Sequence, residues 1–98
     1  MNERGSQAAP SRELLLATHA FPGEYIVKAF GPGTEEFREA VHAQAGAVVG
    51  ASRVRSAERA TRSATRICIT LTLHVHSVEE VIGVYAGISS VPNLIMLL

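Results

Sequence analysis

Residues 65–85, TRICITLTLHVHSVEEVIGVY, decide the fold, because two hydrophobic periods meet inside them. Apolar and polar residues alternate as far as His76, which is the pattern of a half-buried strand. At Ser77 the period changes to that of an amphipathic helix, and Glu80 stands at capping-box spacing from that serine. The inward side of the strand, and the predicted core, is Ile67, Ile69, Leu71, Leu73 and Val75. The pattern predicts a strand that leads directly into a helix.

A second strand and helix are predicted upstream. Glu24–Phe30 alternates like the first strand, and Gly31-Pro32-Gly33 is a turn sequence. Thr34 is the predicted N-cap of the helix that follows, and Gly46 is its predicted C-terminal stop. A helical turn at Arg12–Ala17 is expected to lay its leucines on the domain.

The remaining strands are assigned to Ala47–Ser56 and Val91–Leu98, with residues 57–64 as a polar hairpin connection. The resulting order, βαββαβ, predicts an α+β fold of the ferredoxin-like kind. Its four-stranded antiparallel sheet, in the order 4-1-3-2, has two helices on one face and leaves the other face open. Residues 1–11 are predicted to be a disordered tail, and residues 12–98 a single domain.

Composition narrows the class of protein. The 98 residues carry zero formal net charge, and the single cysteine excludes an internal disulfide, which favours a cytoplasmic location. No apolar run approaches the roughly 20 residues of a membrane span. The absence of aspartate reduces the number of possible acid–base pairs of side chains, and no cofactor motif is present. We therefore expect a non-enzymatic protein without a cofactor or membrane span.

Short motifs along most of the chain carry a family resemblance. They are Phe21-Pro22 with Tyr25, Lys28 and Gly31, the run from Cys68 to Leu73, Ser77–Val81 with Tyr85, and the closing Met96-Leu97-Leu98. From Phe21 to Leu98 the chain resembles the DUF493, or YbeD-like, family of small uncharacterised bacterial proteins. The resemblance implies a ferredoxin-like fold similar to ACT-type regulatory domains, with no established catalysis.

The open sheet face is the main candidate for function. The first strand is predicted to send Ile26, Lys28 and Phe30 there, and the apolar last strand adds outward side chains. A contiguous exposed apolar patch usually marks an interface. We therefore expect a regulatory or protein-interaction domain that forms a homodimer or binds a protein partner. In the alternative, the Arg12–Leu16 segment folds back and covers this face.

The turn before the first long helix supports a rival function. Gly31, Gly33 and Thr34 precede a helix N-terminus, where backbone amides favour anions. ACT-type domains often bind an amino acid near a comparable turn, so the resemblance implies a small-molecule sensor at a dimer interface. The alternative is a tight turn without a ligand.

Two histidines suggest a metal site, but two ligands are fewer than a metal site needs. His74 and His76 lie on the same side of a strand, within reach of one zinc ion. A site needs a third ligand, and Cys68 is roughly 20 Å away along the strand. Solvated or interface histidines are the favoured interpretation, and we assign no metal.

An arginine-rich segment raises the question of nucleic acid. It contains Arg53, Arg55, Arg59, Arg62 and Arg66. A sheet of this topology that binds RNA needs outward aromatic residues for stacking, and the third strand offers none. The pattern therefore argues against nucleic-acid binding. Cys68 has no predicted base beside it, so it is expected to be an inert thiol rather than a nucleophile.

Overall fold

A computed structural model describes residues 9–61 and 65–98. The elements in these residues are α1 Arg12–Thr18, β1 Gly23–Pro32, α2 Glu35–Val49, a 3-10 helix at Ala51–Arg53, β2 Val54–Ala60, β3 Arg66–Val75, α3 Val78–Ser89 and β4 Met96–Leu97. The predicted α+β class is confirmed. None of the described helices combines the length and the apolar character needed to cross a bilayer.

The four strands form one antiparallel sheet in the order β2-β3-β1-β4. The two ten-residue strands, β1 and β3, lie at its centre and pair from Gly23 opposite Val75 to Pro32 opposite Arg66. The strands β2 and β4 are the edges. Because β1 and β3 alternate in step, their apolar residues face the same side of the sheet.

The core lies between this side of the sheet and the helices α2 and α3. The inward residues of β3, from Ile67 to Val75, are buried as predicted, together with Tyr25, Val27 and Ala29 of β1. The helices bury one stripe each: Phe37, Val41, Ala45 and Val49 from α2, and Val78, Val81, Val84, Tyr85 and Ile88 from α3. All belong to a single apolar cluster, so no helix within residues 9–61 and 65–98 packs on the opposite face of the sheet.

The predicted end of α2 was wrong. Gly46 lies inside the helix, which continues to Val49 and ends at Gly50 with φ 92°. That left-handed conformation suits glycine because it has no Cβ. The predicted strand Ala47–Ser56 is therefore displaced: β2 begins at Val54 and extends to Ala60, into the predicted connection. Of that connection, residues 62–64 lie outside the described residues.

The capping box predicted at Ser77 does not form. Ser77 is the N-cap of α3, but its hydroxyl makes no capping hydrogen bond. The Glu80 carboxylate instead accepts a hydrogen bond from the backbone N–H of His76, at 2.7 Å. The same carboxylate also forms an ion pair with Arg53.

The helix α1 packs beside α3, where Arg12 forms an ion pair with Glu79. Only Leu15 of its three leucines is buried, while Leu14 and Leu16 remain exposed. The alternative in which Arg12–Leu16 covers the open sheet face is therefore wrong, because Leu15 belongs to the core on the helical side.

The predicted last strand is shorter in the structure, and only residues 9–11 of the predicted tail are among the described residues. Residues 1–8 of the tail lie outside the described residues, and the Ser11 hydroxyl accepts a hydrogen bond from the Leu14 N–H as the N-cap of α1. At the other end, β4 comprises Met96–Leu97 only. The segment that precedes β4 contains Asn93, whose φ of 71° is typical of a turn rather than a strand.

Candidate interaction surface on the open sheet face

The open face is built by the alternate residues of the same strands that form the core. Strand β1 contributes Glu24, Ile26, Lys28 and Phe30, and β3 contributes Arg66, Cys68, Thr70, Thr72 and His74. Across the sheet, Arg59 lies opposite Cys68, and Ala57 opposite Thr70. The predicted placement of the three β1 residues Ile26, Lys28 and Phe30 on this face agrees with the register.

Four apolar side chains lie together at the β1–β4 side of this face. Met96 pairs with Phe30, and Leu98 exchanges two backbone hydrogen bonds with Lys28. Ile26, Met96 and Leu98 are 54%, 41% and 56% exposed, and Phe30 is half-buried. We call Ile26, Phe30, Met96 and Leu98 the apolar cluster. A solvent-facing group of this kind is typical of a contact surface.

Basic side chains occupy much of the rest of the open face, and one of them, Lys28, lies on β1 between Ile26 and Phe30. Arg55 and Glu24 neutralise one another across β3 through a contact of 3.0 Å. Lys28, Arg59 and Arg66, which we call the basic strip, form no ion pair with any residue in 9–61 or 65–98. The face therefore combines an apolar cluster with a neighbouring surplus of positive charge.

A shallow depression lies in this basic part of the face. Its volume is about 260 Å³, and its lining includes Lys28, Ala57, Arg59, Cys68 and Thr70. Cys68 belongs to the open face and lines the depression, but it is only 5% exposed. The short side chain of Ala57 leaves the space above Thr70 unfilled.

Glu58 also borders the depression, but its carboxylate is engaged elsewhere. The Arg38 Nε donates to both carboxylate oxygens of Glu58, at 2.9 and 3.0 Å. This hydrogen bonding raises the pKa of Arg38 and holds the Glu58 carboxylate toward α2. Glu58 thus does not neutralise Lys28 or Arg59.

The turn residues predicted as ligand contacts have structural roles. Gly31 belongs to β1 and is buried where the ring of Phe37 approaches its backbone. The Thr34 hydroxyl accepts a hydrogen bond from the Phe37 N–H at 3.2 Å, as the predicted N-cap of α2. Gly33 is exposed beside Ile67. The structure thus brings Ile26, Lys28 and Phe30 together on one face, and separates Gly31, Gly33 and Thr34 from them.

The two histidines are close to one another. The ring centroids of His74 and His76 are 5.6 Å apart, with an interplanar angle of 83°. Across residues 9–61 and 65–98 there is no group of three or more histidine, cysteine or acidic side chains that could hold a metal ion. Their neighbours are instead Glu24, which pairs in register with His74, and Glu80.

Comparison with known families gives one match. The model of the family described as "Protein of unknown function (DUF493)" matches residues 17–98. The chain belongs to the DUF493 family. No curated protein and no solved structure matches it. The resemblance deduced from the short motifs is therefore confirmed, and it assigns no activity to this DUF493 protein.

Sequence reasoning about this DUF493 chain missed what its arginines do. Arg53 makes a two-pronged contact with the Glu80 carboxylate, both distances 3.2 Å, and donates to the His74 carbonyl at 3.0 Å. These bonds tie β3 to the start of α3. Arg53, and then the His76 N–H, hold the pKa of Glu80 below its ordinary value. The sequence signal was weak, because partners 27 residues apart share no periodicity.

We expect Arg53→Met to destabilise the protein by about 1 kcal/mol near neutral pH, because Glu80 would keep its partial burial and lose its cation. Since the folded pKa of Glu80 is depressed, the stabilisation is present above pH 4.5 and is lost as the pH falls below it. Urea denaturation near neutral pH and at about pH 3 measures both effects.

The matched control is Arg55→Met, because the Arg55–Glu24 pair is much more exposed than the Arg53–Glu80 pair. We expect it to cost less than about 0.5 kcal/mol. Equal losses in the two variants, or an Arg53→Met loss that is unchanged at low pH, would contradict the role assigned to Arg53.

Proposed function

We propose that this DUF493 protein is a non-enzymatic, cytoplasmic interaction domain that forms a homodimer through its open sheet face. The observation that carries the proposal is the apolar cluster on a face that no described helix covers. Regulation would act through the assembly state, because a ligand or partner that prefers one state shifts the equilibrium toward it.

The position of the apolar cluster favours a second copy as the occupant. The cluster lies to one side of the face, so a twofold axis through it places cluster against cluster. The same arrangement keeps Arg59, on the opposite edge strand, away from the axis. Each copy then removes apolar surface from water, and Lys28, between Ile26 and Phe30, is the charge that this contact brings toward the axis.

The dimensions of the face suit a weak dimer. The four strands have 10, 7, 10 and 2 residues, and at about 3.3 Å per residue and about 4.8 Å per strand they give a flat area of about 460 Å². This area is smaller than the ~800 Å² per partner of a standard-size interface, so we expect a reversible dimer of modest affinity.

A ferredoxin-like classification is part of the proposal. Read from the β4 edge, the strand order runs 4-1-3-2, and the elements from β1 onward follow the βαββαβ order. These features support the classification, with α1 and the 3-10 helix as additions. The amino-acid sensor predicted from the turn remains a prediction, which a thermal-shift measurement with amino acids tests.

The homodimer is tested by sedimentation equilibrium over micromolar to millimolar protein. We expect a reversible dimer that Ile26→Ser weakens about tenfold or more, since each of two copies loses apolar burial. Leu14→Ser is the matched control, because Leu14 and Ile26 are both 54% exposed and Leu14 lies on α1.

Leu14→Ser is expected to leave the dimer unchanged. A monomer at every concentration would overturn the proposal. Equal weakening by Ile26→Ser and Leu14→Ser would show an interface that does not use the open face.

A further inference from the structure

The basic part of the open face has the composition of an anion subsite. We propose that the depression between Lys28 and Arg59 binds a small oxyanion, a carboxylate or a phosphate, and that the bound anion tightens the dimer. The binding step depends on the depression alone, while the effect on assembly rests on the proposed function.

Charge is the first support. Lys28 and Arg59 both line the depression, and neither has an acidic partner among residues 9–61 and 65–98. Of the neighbouring glutamates, Glu24 is paired with Arg55, and Glu58 with Arg38. Two cations without counter-ions beside one depression favour an anionic occupant, and a guanidinium binds carboxylate or phosphate with two parallel hydrogen bonds.

The lining supplies further donors and the necessary space. The Thr70 hydroxyl is partly buried in the middle of the sheet and has no hydrogen-bond partner in the described part of the chain. The Cys68 thiol, beside it on the same face of β3, is a weak donor. Because Ala57 opposite Thr70 is short, an anion has room to approach the sheet between the two long cations.

The proposed dimer gives this subsite a regulatory consequence. When the two apolar clusters meet, Lys28, which lies on β1 between Ile26 and Phe30, loses water, and an unpaired charge is costly in such an interface. A bound oxyanion replaces the missing counter-ion and lowers that cost. By linkage, the anion then binds the dimer more tightly than the monomer and shifts the equilibrium toward the dimer.

Binding is tested by titrating the full ¹⁵N-labelled chain with inorganic phosphate, with sodium chloride adjusted to keep ionic strength constant. We expect saturable amide shifts centred on Lys28, Arg59 and Thr70, with millimolar affinity. A parallel titration with succinate tells whether a carboxylate or a phosphate is preferred. The variant Lys28→Met/Arg59→Gln is expected to weaken binding by about tenfold or more.

Arg12→Gln is the control, because it removes one positive charge from α1, away from the sheet face. Its affinity for phosphate should equal that of the natural chain. Shifts that rise linearly without saturation, or equal affinity in the Lys28→Met/Arg59→Gln variant, would overturn the subsite.

Sedimentation with and without phosphate tests the assembly step, and we expect the dimer dissociation constant to fall about threefold or more with phosphate near saturation. Saturable binding by a protein that stays monomeric would refute the homodimer and leave the subsite standing. A dimer dissociation constant that does not change with saturating phosphate would refute only the coupling between anion binding and dimerisation.

Discussion

Gly31→Ala is expected to destabilise the protein by about 2–3 kcal/mol. A Cβ at position 31 would lie 2.7 Å or less from three ring carbons of Phe37. Real Cβ atoms essentially never approach so closely, and the Phe37 ring is only 3% exposed, so it has no open space into which to move. The start of α2 or the end of β1 must therefore shift. Urea denaturation measures the change in the free energy of unfolding.

Gly46→Ala is the control for the same chemical change. Gly46 lies inside α2, and a Cβ there would meet Ala51 at 3.7 Å, which is ordinary contact. Because glycine weakens a helix interior, this variant is expected to gain up to about 1 kcal/mol. A Gly31→Ala protein as stable as the natural chain would show that packing against Phe37 does not require glycine at this position of β1.

Tyr85→Phe is expected to cost about 1–2 kcal/mol, and the reason is a buried pair of hydroxyls. The hydroxyl oxygens of Tyr25 and Tyr85 are 3.3 Å apart, and their rings meet edge to face at 6.2 Å. Both residues are buried, so removing one hydroxyl leaves the other without its partner. The double variant Tyr25→Phe/Tyr85→Phe should recover most of the loss, because both polar groups are gone.

The same pair gives a dependence on alkaline pH. Burial, and then the hydrogen bond with Tyr25, raise the pKa of Tyr85 well above its ordinary 10.0. The unfolded chain loses this proton near pH 10 while the folded chain retains it. The stabilisation is therefore complete below pH 10 and declines above it by about 1.4 kcal/mol per pH unit.

Denaturation curves from about pH 9 to about pH 11 measure this slope. Tyr85→Phe should remove the contribution of the Tyr85 hydroxyl to this slope. The free energies of unfolding of the natural chain and the variant should therefore converge as the pH rises. A difference between them that stays constant, or grows, with pH would contradict the assignment of a buried, neutral Tyr85.

The sequence predicted the centre of the sheet well, and the reason lies in β3. Its strict alternation from Ile67 to Val75 fixes which residues are buried. Because β1 pairs with β3, the residues of β1 alternate between the same two faces of the sheet. The placement of Ile26, Lys28 and Phe30 on the open face follows from this phase alone. Thr34 as an N-cap was also predictable, because it directly precedes two glutamates at a helix start.

The errors concern the places where local signals conflict with tertiary packing. Gly46 looked like a helix stop, but only Gly50 has the positive φ that demands glycine, and a backbone angle is not visible in a sequence. The edge strand β2 was read as a loop in part, because its residues from Arg55 to Ala60 are exposed and carry no alternation. Edge strands commonly carry charged side chains, which discourage pairing with another chain.

The candidate site was only half predictable. The apolar cluster follows from strand phase, although Met96 and Leu98 join it only because β4 pairs beside Phe30 and Lys28. The basic strip depends on which arginines find acidic partners. Arg53 and Arg55 are paired with Glu80 and Glu24, and these pairs come from distant parts of the sequence. Arg59 and Arg66, by contrast, have no acidic partner among residues 9–61 and 65–98.

The most direct test of the central claim, a homodimer through the open sheet face, is an isotope-filtered NOE measurement on a mixture of labelled and unlabelled chains. Only contacts between copies give signals in this experiment. The account predicts intermolecular NOEs among the methyl groups of Ile26, Met96 and Leu98 and the ring of Phe30. A dimeric sample whose intermolecular NOEs come instead from α1, such as Leu14 and Leu16, or from the outer sides of α2 and α3, would contradict it.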